Sequence, residues 1–387
     1  MCWVHQVLPA REAELIAQSQ ESWGAWTQSR IAVYALENDR SFMGSASREH
    51  ELLQAVRHGN EDAFRTLLEP HRKALLAHCY RMLGSLHDAE DALQEALLRA
   101  WRGLHGFDER RSVRPWLYKI ATNTCLDTIS RRPKRLLPRD YGLPPNSPDD
   151  NAEPVVESIW VEPYPDDKLG VEDGYAAPEA RYEQREAVEL AFIAALQHLP
   201  PQQRAALVLR EVLGFSASEV SELLETSVAS VNSALQRARK TVDERLPSQS
   251  QQATLRALGD ERLRALVKDY VKAWESADVD ALTALLAEDV TMAMPPYPFW
   301  WQGRTELLAA ITHPDSPLHE RWRYLPVRAN GQLAFAGYLW DPERGVYTAN
   351  ALEVISLEGV QVRESVGFAM PELFAKFDLP AELPVDE

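Results

Sequence analysis

Cysteine is scarce. Cys2, Cys79 and Cys125 are the three in 387 residues, and no two stand as a CxxC pair. That argues against a disulfide framework and fits a reducing compartment. His71, the His78–Cys79 pair and His87 lie close together in sequence but match no common zinc spacing, and there is no HxxxCxxC motif. Core packing is their expected role, and neither a metal nor a cofactor is expected. No apolar run reaches eighteen residues, and the N-terminus lacks the basic start and apolar core of a secretory signal. A membrane partner is therefore not expected, and a cytoplasmic location is. Positive charge is short as well. With 41 Lys/Arg against 58 Asp/Glu the net charge is −17 and the pI near 5.1. Taken whole, that balance opposes nucleic-acid binding.

The local balance reverses this in one place. Residues 46–138 hold sixteen Lys/Arg against twelve Asp/Glu, whereas residues 139–190 hold four against fourteen. A basic module followed by an acidic tether differs from a uniformly acidic protein. Apolar content of 45% and charged content of 26% describe a globular chain, and 387 residues predict two or three domains.

The pattern is strongest in residues 88–135. Ala89, Ala92, Leu93, Ala96, Leu97, Ala100, Trp101 and Leu104 recur at helical spacing, with Asp88 as the expected N-cap and Gly106 as the stop. Glu90, Asp91, Gln94 and Glu95 fall largely on the other face. A second helix follows Ser112 and Pro115 and closes on Arg131, Arg132, Lys134 and Arg135. An acidic face leading into an aromatic and basic segment suits one surface for a protein and the next for nucleic acid. Upstream, residues 48–58, 62–68 and 71–83 predict three short amphipathic helices.

The words DAEDALQEALLRAW and PWLYKIATNTCLDTISRR resemble region 2 of bacterial RNA polymerase sigma factors, closest to the extracytoplasmic-function (ECF) branch of the sigma-70 family. The resemblance implies that Asp88, Glu90, Asp91, Gln94 and Glu95 dock on the clamp of core RNA polymerase. It implies that Trp116, Lys119, Asn123, Asp127, Arg131 and Arg132 recognise the minus-ten element and trap an unstacked base from single-stranded promoter DNA.

Residues 139–181 are acidic and proline-rich, the composition of an extended or disordered linker. Residues 182–246 form a second helical domain. Ser216 and Glu219 read as a capping box, residues 225–226 as a turn, and Ser227 caps a helix that runs to Lys240 and carries Arg237, Arg239 and Lys240. LPPQQRAALVLREVLGFSASEVSELL followed by SVASVNSALQRAR is similar to sigma region 4. The resemblance implies contact with the polymerase flap and with duplex DNA at minus thirty-five, through Ser230, Asn232, Ser233, Gln236, Arg237 and Arg239. Glu225 replaces the usual turn glycine, and Asn232 and Ala234 stand where basic residues are frequent, so base preference does not carry over.

From residue 255 the pattern becomes helix, helix, strand, Trp301-Gln-Gly-Arg304, helix and then antiparallel strands. This resembles the SnoaL-like branch of the nuclear-transport-factor-like fold, a curved sheet closed over a helix as a cone. Residues 255–387 are assigned to it, with Tyr270, Trp274, Trp300, Trp301 and Arg304 as a candidate lining for a small-molecule ligand. Asp278, Asp280, Glu288, Asp289 and His313 form no spacing that demands catalysis, and capping or surface pairing is the simpler role. No enzymatic activity is expected.

The expected fold is thus multidomain: two all-α sigma domains (45–138 and 182–246) and a C-terminal α+β domain. Residues 1–44 form an N-terminal extension with little pattern. It is either a regulatory addition or the product of an upstream start, with Met43 nearer the natural first residue. Two other functions remain open on sequence alone. One is a helix-turn-helix regulator outside the sigma family that senses a small molecule. The other is a pocket-fold enzyme with accessory DNA-binding parts.

Overall fold

A computed structural model describes residues 42–108, 111–141, 145–146, 154–155, 159–168, 186–314 and 316–385. The N-terminal extension up to residue 41, and most of the linker, lie outside the described residues.

Four helices form the first unit: α1 (Phe42–Arg57), α2 (Glu61–Leu83), α3 (Leu86–Gly103) and α4 (Val113–Ile129). Helix α2 joins what the sequence divides at Pro70. Proline inside a helix removes one i→i−4 bond, and here the apolar stripe runs on past it through Leu67, Leu68, Leu75 and Cys79. Gly84 ends α2 in the left-handed region (φ 70°), donating to the Tyr80 carbonyl. Helix α3 starts earlier than its acids suggest. Ser85 is the N-cap and accepts from the Asp88 amide at 3.1 Å, which leaves Asp88 inside the first turn.

The second unit comprises α5 (Leu190–Gln197), α6 (Pro201–Leu207, drawn out into a π-turn at Val208–Val212), α7 (Ala217–Leu223) and α8 (Val228–Asp243). The capping box of Ser216 and Glu219 is present, and Ser227 caps α8 by accepting from the Ser230 amide. Glu225 takes the positive φ (51°) that the turn requires.

Helix α9 (Gln251–Glu275), broken at Gly259 (φ 74°), leads into the third unit. It contains α10 (Val279–Leu285), capped by Asp278, then β1 (Leu286–Ala293), β2 (Trp300–Gln302), α11 (Arg304–Ile311), β3 (Trp322–Ala329), β4 (Gln332–Asp341), β5 (Val346–Glu358), β6 (Gln361–Phe368), α12 (Leu373–Lys376) and β7 (Glu382–Leu383). The sheet order is β2-β1-β6-β5-β4-β3, with β7 on β5; β1 and β6 run parallel and the other pairs antiparallel.

Both faces of β4 are buried over most of its length, which is why it reads as a near-continuous apolar run. Successive side chains alternate between faces. Leu333, Phe335, Ile355 and Leu357 pack under α9. Ala334, Ala336, Leu352 and Val354 share a core with Leu75 and Tyr80 of α2 and with Val188 and Leu190. The C-terminal domain therefore continues the hydrophobic core of the helical units.

The linker differs from expectation. Ile159, Trp160, Val161 and Tyr164 are all buried, and Tyr164 is fully so, its ring 4.5 Å from that of Tyr80. An acidic, proline-rich composition predicts exposure, but this stretch carries a run of large apolar residues, 159–161, with Tyr164 close behind, and they are covered. The hairpin joining β3 to β4 does the covering. Its two-residue loop, Asn330–Gly331, has φ of 55° and 70°, values that asparagine and glycine adopt readily. The Asn330 side chain donates to the Tyr80 hydroxyl (2.9 Å) and the Val188 carbonyl (2.7 Å) and accepts from the Tyr164 amide (2.8 Å). One side chain thus ties together the first helical unit, the linker and the start of the second.

Candidate functional site

The acidic side of α3 is divided by the fold. Asp91 and Gln94 are exposed, and Glu95 is half-buried and accepts from Arg99 at 2.8 Å. Glu90 is held by Lys376 Nζ at 2.5 Å, from α12 of the C-terminal domain, with Lys168 Nζ 3.9 Å away. Asp88 is 2% exposed and paired with Arg132 and Arg135. Arg135 in turn donates to the Trp160 carbonyl (3.1 Å) and lies 3.7 Å from Glu162. Glu162 also accepts from the Leu86 amide at the start of α3 (2.9 Å), where the helix dipole favours a carboxylate. Asp88 is therefore neither the helix cap nor part of an open face: burying its charge requires partners, and two arginines supply them. Leu98 stands 51% exposed on this helix, an apolar feature next to the acids that the periodicity count passes over.

The basic segment is likewise engaged. Trp116 is half-buried, its ring 4.8 Å from Phe107. Asn123 and Arg131 are exposed. Asp127 accepts from Arg99 at 2.8 Å, so Arg99 joins it to Glu95. Those two carboxylates raise the Arg99 pKa. Lys119 Nζ lies 2.8 Å from the Glu225 carboxylate, in the helix-turn-helix turn, and holds the Glu225 pKa below its usual value. Beside this contact the Arg114 guanidinium sits 4.4 Å over the Phe215 ring and donates to the Leu213 carbonyl at 2.9 Å. The departure from glycine at the turn thus coincides with an ion pair between the two helical units.

On α8, Ser230, Asn232, Ser233, Gln236 and Arg237 are all exposed on one side. Arg239 is turned back: it donates to Glu211 at 2.7 Å, and that carboxylate is almost wholly buried. Its first role in this conformation is structural.

The five residues of the candidate pocket do not enclose one cavity. Tyr270 is buried, stacked on Phe335 at 4.5 Å, with its hydroxyl donating to Glu353 (2.8 Å). Glu353 also accepts from Ser365. Burial raises the pKa values of both Glu353 and Tyr270. Trp274 lies 6.2 Å from Tyr270, ring to ring. Trp300 and Trp301 lie on the edge strand β2, and Arg304 donates to the Leu286 carbonyl. A cleft of about 910 Å³ does open beside α9, but it is lined by Leu263, Val267, Val271 and Pro326 with Arg264 and Lys272, and by none of those five. Among the described residues no group of three or more His, Cys, Asp or Glu is placed to hold a metal, and no helix is long and apolar enough to cross a membrane.

Comparison with known proteins agrees with this division. Residues 67–135 match Sigma-70 region 2, residues 183–242 match Sigma-70 region 4, and residues 267–364 match the SnoaL-like domain. The ECF RNA polymerase sigma factor SigG of Mycobacterium tuberculosis is 41% identical over 317 residues, covering 81% of this chain and 83% of SigG. SigW of Bacillus subtilis, also an ECF sigma factor, is 29% identical over 198 residues, covering 50% of this chain and 94% of SigW. The crystal structure of M. tuberculosis SigJ shares the fold, with a TM-score of 0.50 and 21% identity over 80% of this chain and 97% of that one. Two sigma regions in order, a SnoaL-like third domain and a relative 41% identical over more than four-fifths of each chain lead to one assignment: the chain belongs to the ECF family of RNA polymerase sigma factors.

Proposed function

We propose that this sigma factor binds core RNA polymerase through the exposed acids and Leu98 of α3, melts the minus-ten element with the face around Trp116, Asn123, Arg131 and Arg132, and reads minus-thirty-five duplex through α8. In this reading the described conformation is a closed form in which Glu90, Asp88 and Lys119, at the margins of the first two surfaces, are held by other residues while the α8 face stays open. The observation that carries it is the source of the covering residues. Lys376 of the C-terminal domain holds Glu90, Glu225 of the helix-turn-helix holds Lys119, and Glu162 of the linker sits over the pairs that enclose Asp88. Each contact joins a different unit to the first one. Opening would separate them, and any signal that favours the open form must bind the two forms unequally. The C-terminal domain then acts by packing, with no bond-breaking step.

Two variants test this. Truncation after Arg245 removes the clasp and the hairpin together. Lys376→Glu, in the full chain, repels Glu90 and leaves the sheet core in place. Both are expected to bind core polymerase more tightly than the parent and to initiate from a promoter that core alone ignores. If both match the parent in core affinity and promoter activity at several salt concentrations, the C-terminal domain is not an internal regulator.

A further inference from the structure

A cleft of about 370 Å³ lies where the end of the first helical unit meets the start of the second. Its charged lining is Arg132, Lys134 and Arg135 on one wall and Arg204 on the other, against a single carboxylate, Asp88. Asp88 is already shared by Arg132 and Arg135. Lys134 and Arg204 have no such answer within the cleft. Lys134 Nζ donates to the neutral partner His198 Nδ1 at 2.8 Å, and His198 faces Asp140 on its far side at 3.2 Å. Burial lowers the Lys134 pKa, and the charges of Arg245 and Arg204 add to that against the opposing pull of Asp140. Arg204 is 4% exposed, and its terminal nitrogens donate only to uncharged oxygens of Met82, Gln197 and Leu199. Its buried Nε has no partner among the described residues. A buried guanidinium with an unused donor, beside three more cations, is costly unless an anion completes it.

We propose that this cleft binds a condensed phosphate, inorganic or the polyphosphate tail of a nucleotide, and that the anion clamps the two sigma domains together. Arginine forks match phosphate oxygens in pairs, and four cations on two walls, answered only by Asp88 and by Glu162 behind Arg135, leave Lys134 and Arg204 for phosphoryl oxygens. The volume falls within the range of small-ligand sites and is too small for a duplex. Because Arg132, Lys134 and Arg135 come from one domain and Arg204 from the other, the site is whole only when the domains meet. The ligand then opposes opening by mass action. This second step rests on the closed-form reading above; the binding step does not.

The test uses the full chain and inorganic tripolyphosphate, followed by calorimetry at fixed ionic strength without divalent metal. One site is expected, weakened at least about fivefold in Lys134→Gln and in Arg132→Gln but not in Lys272→Gln, which removes the same charge from the distant C-terminal helix. Absence of binding, or equal weakening by all three substitutions, overturns the site in favour of a diffuse counterion effect. Lys134-dependent binding of a DNA duplex, without any of tripolyphosphate, also overturns it and makes the cluster a DNA contact. With tripolyphosphate at ten times the parent's Kd, the affinity of the parent for core polymerase is expected to fall about tenfold, and that of Lys134→Gln by no more than about threefold. Binding that leaves core affinity unchanged overturns the clamp and the closed-form reading, while the anion site stands.

Discussion

Asn330→Gly is the sharpest probe of how the three units are coupled. Glycine accepts the positive φ of this hairpin position, so the turn itself is not strained by the change. What is lost is three hydrogen bonds in a fully buried place. The Tyr80 hydroxyl keeps its bond to the Glu162 carbonyl at 2.7 Å. The Tyr164 amide and the Val188 carbonyl are left without the side chain that met them. An orphaned buried polar group costs about 1–3 kcal/mol, so the two together weaken the closed arrangement by about 2–6 kcal/mol. Even the lower figure moves a closed–open equilibrium about thirtyfold. The measurement is titration of labelled core polymerase with parent and variant. The variant is expected to bind more tightly by about that factor, up to the limit set by the open form. Amide hydrogen exchange around Tyr164 and Val188 should quicken in parallel. Unchanged exchange together with core affinity within twofold of the parent would refute the assignment of Asn330 as the coupling residue.

Two further outcomes follow from the local electrostatics. Glu189, buried at the entry to α5, accepts from the Gln252 amide at 2.9 Å, and burial pushes its pKa up to about 7. A carboxyl whose folded pKa is raised favours the fold while protonated, and that contribution is lost as pH rises from its ordinary value of 4.5 through about 7. Glu189→Gln is therefore expected to match the parent near pH 4 and to exceed it by up to about 3 kcal/mol above pH 8 in denaturant titrations; a constant difference at all pH values would show that Glu189 is not the titrating group. On α8, Arg239→Ala strands the buried Glu211 carboxylate and should lower stability by about 1–2 kcal/mol, reduced from a fully buried pair because Arg239 is itself 41% exposed. Arg237→Ala should leave stability within about 0.5 kcal/mol, weaken duplex binding and lower its salt slope by about one; the reverse pattern in a thermal melt and a salt-dependent anisotropy titration would exchange their roles.

The helices and strands were largely legible because their burial is periodic. The stripe of α3, the capping box of Ser216 and Glu219 and the apolar run of β4 are local signals that tertiary structure reinforces. Pro70 and Asp88 misled for the same reason: each carries a strong local preference that packing overrode, the first by an unbroken apolar stripe, the second by two arginines 44 and 47 residues further on. Long-range partners were not legible. Nothing in the order of residues says that Lys376 reaches Glu90 or that Glu225 reaches Lys119, and an ion pair leaves no period in the sequence. The Asn330–Gly331 dipeptide between two strand-like runs does announce a tight hairpin. What it could not announce is that the tip enters another domain. Composition hides the burial of the linker because it averages over the segment, and Trp160, Val161 and Tyr164 are too few to change the average.

The clasp on Glu90 also orders events in time. Its partner lies 286 residues further along the chain. At a synthesis rate of about 5–20 residues per second, helix α3 precedes the lysine that holds Glu90 by about 15–60 s. On the docking role proposed for α3, a chain still on the ribosome has those acids but no lysine to hold them, so capture by polymerase and self-closure would compete first during translation. Slow elongation through the C-terminal third lengthens that window, and the pace of the ribosome becomes one of the inputs to how much of this protein ever closes.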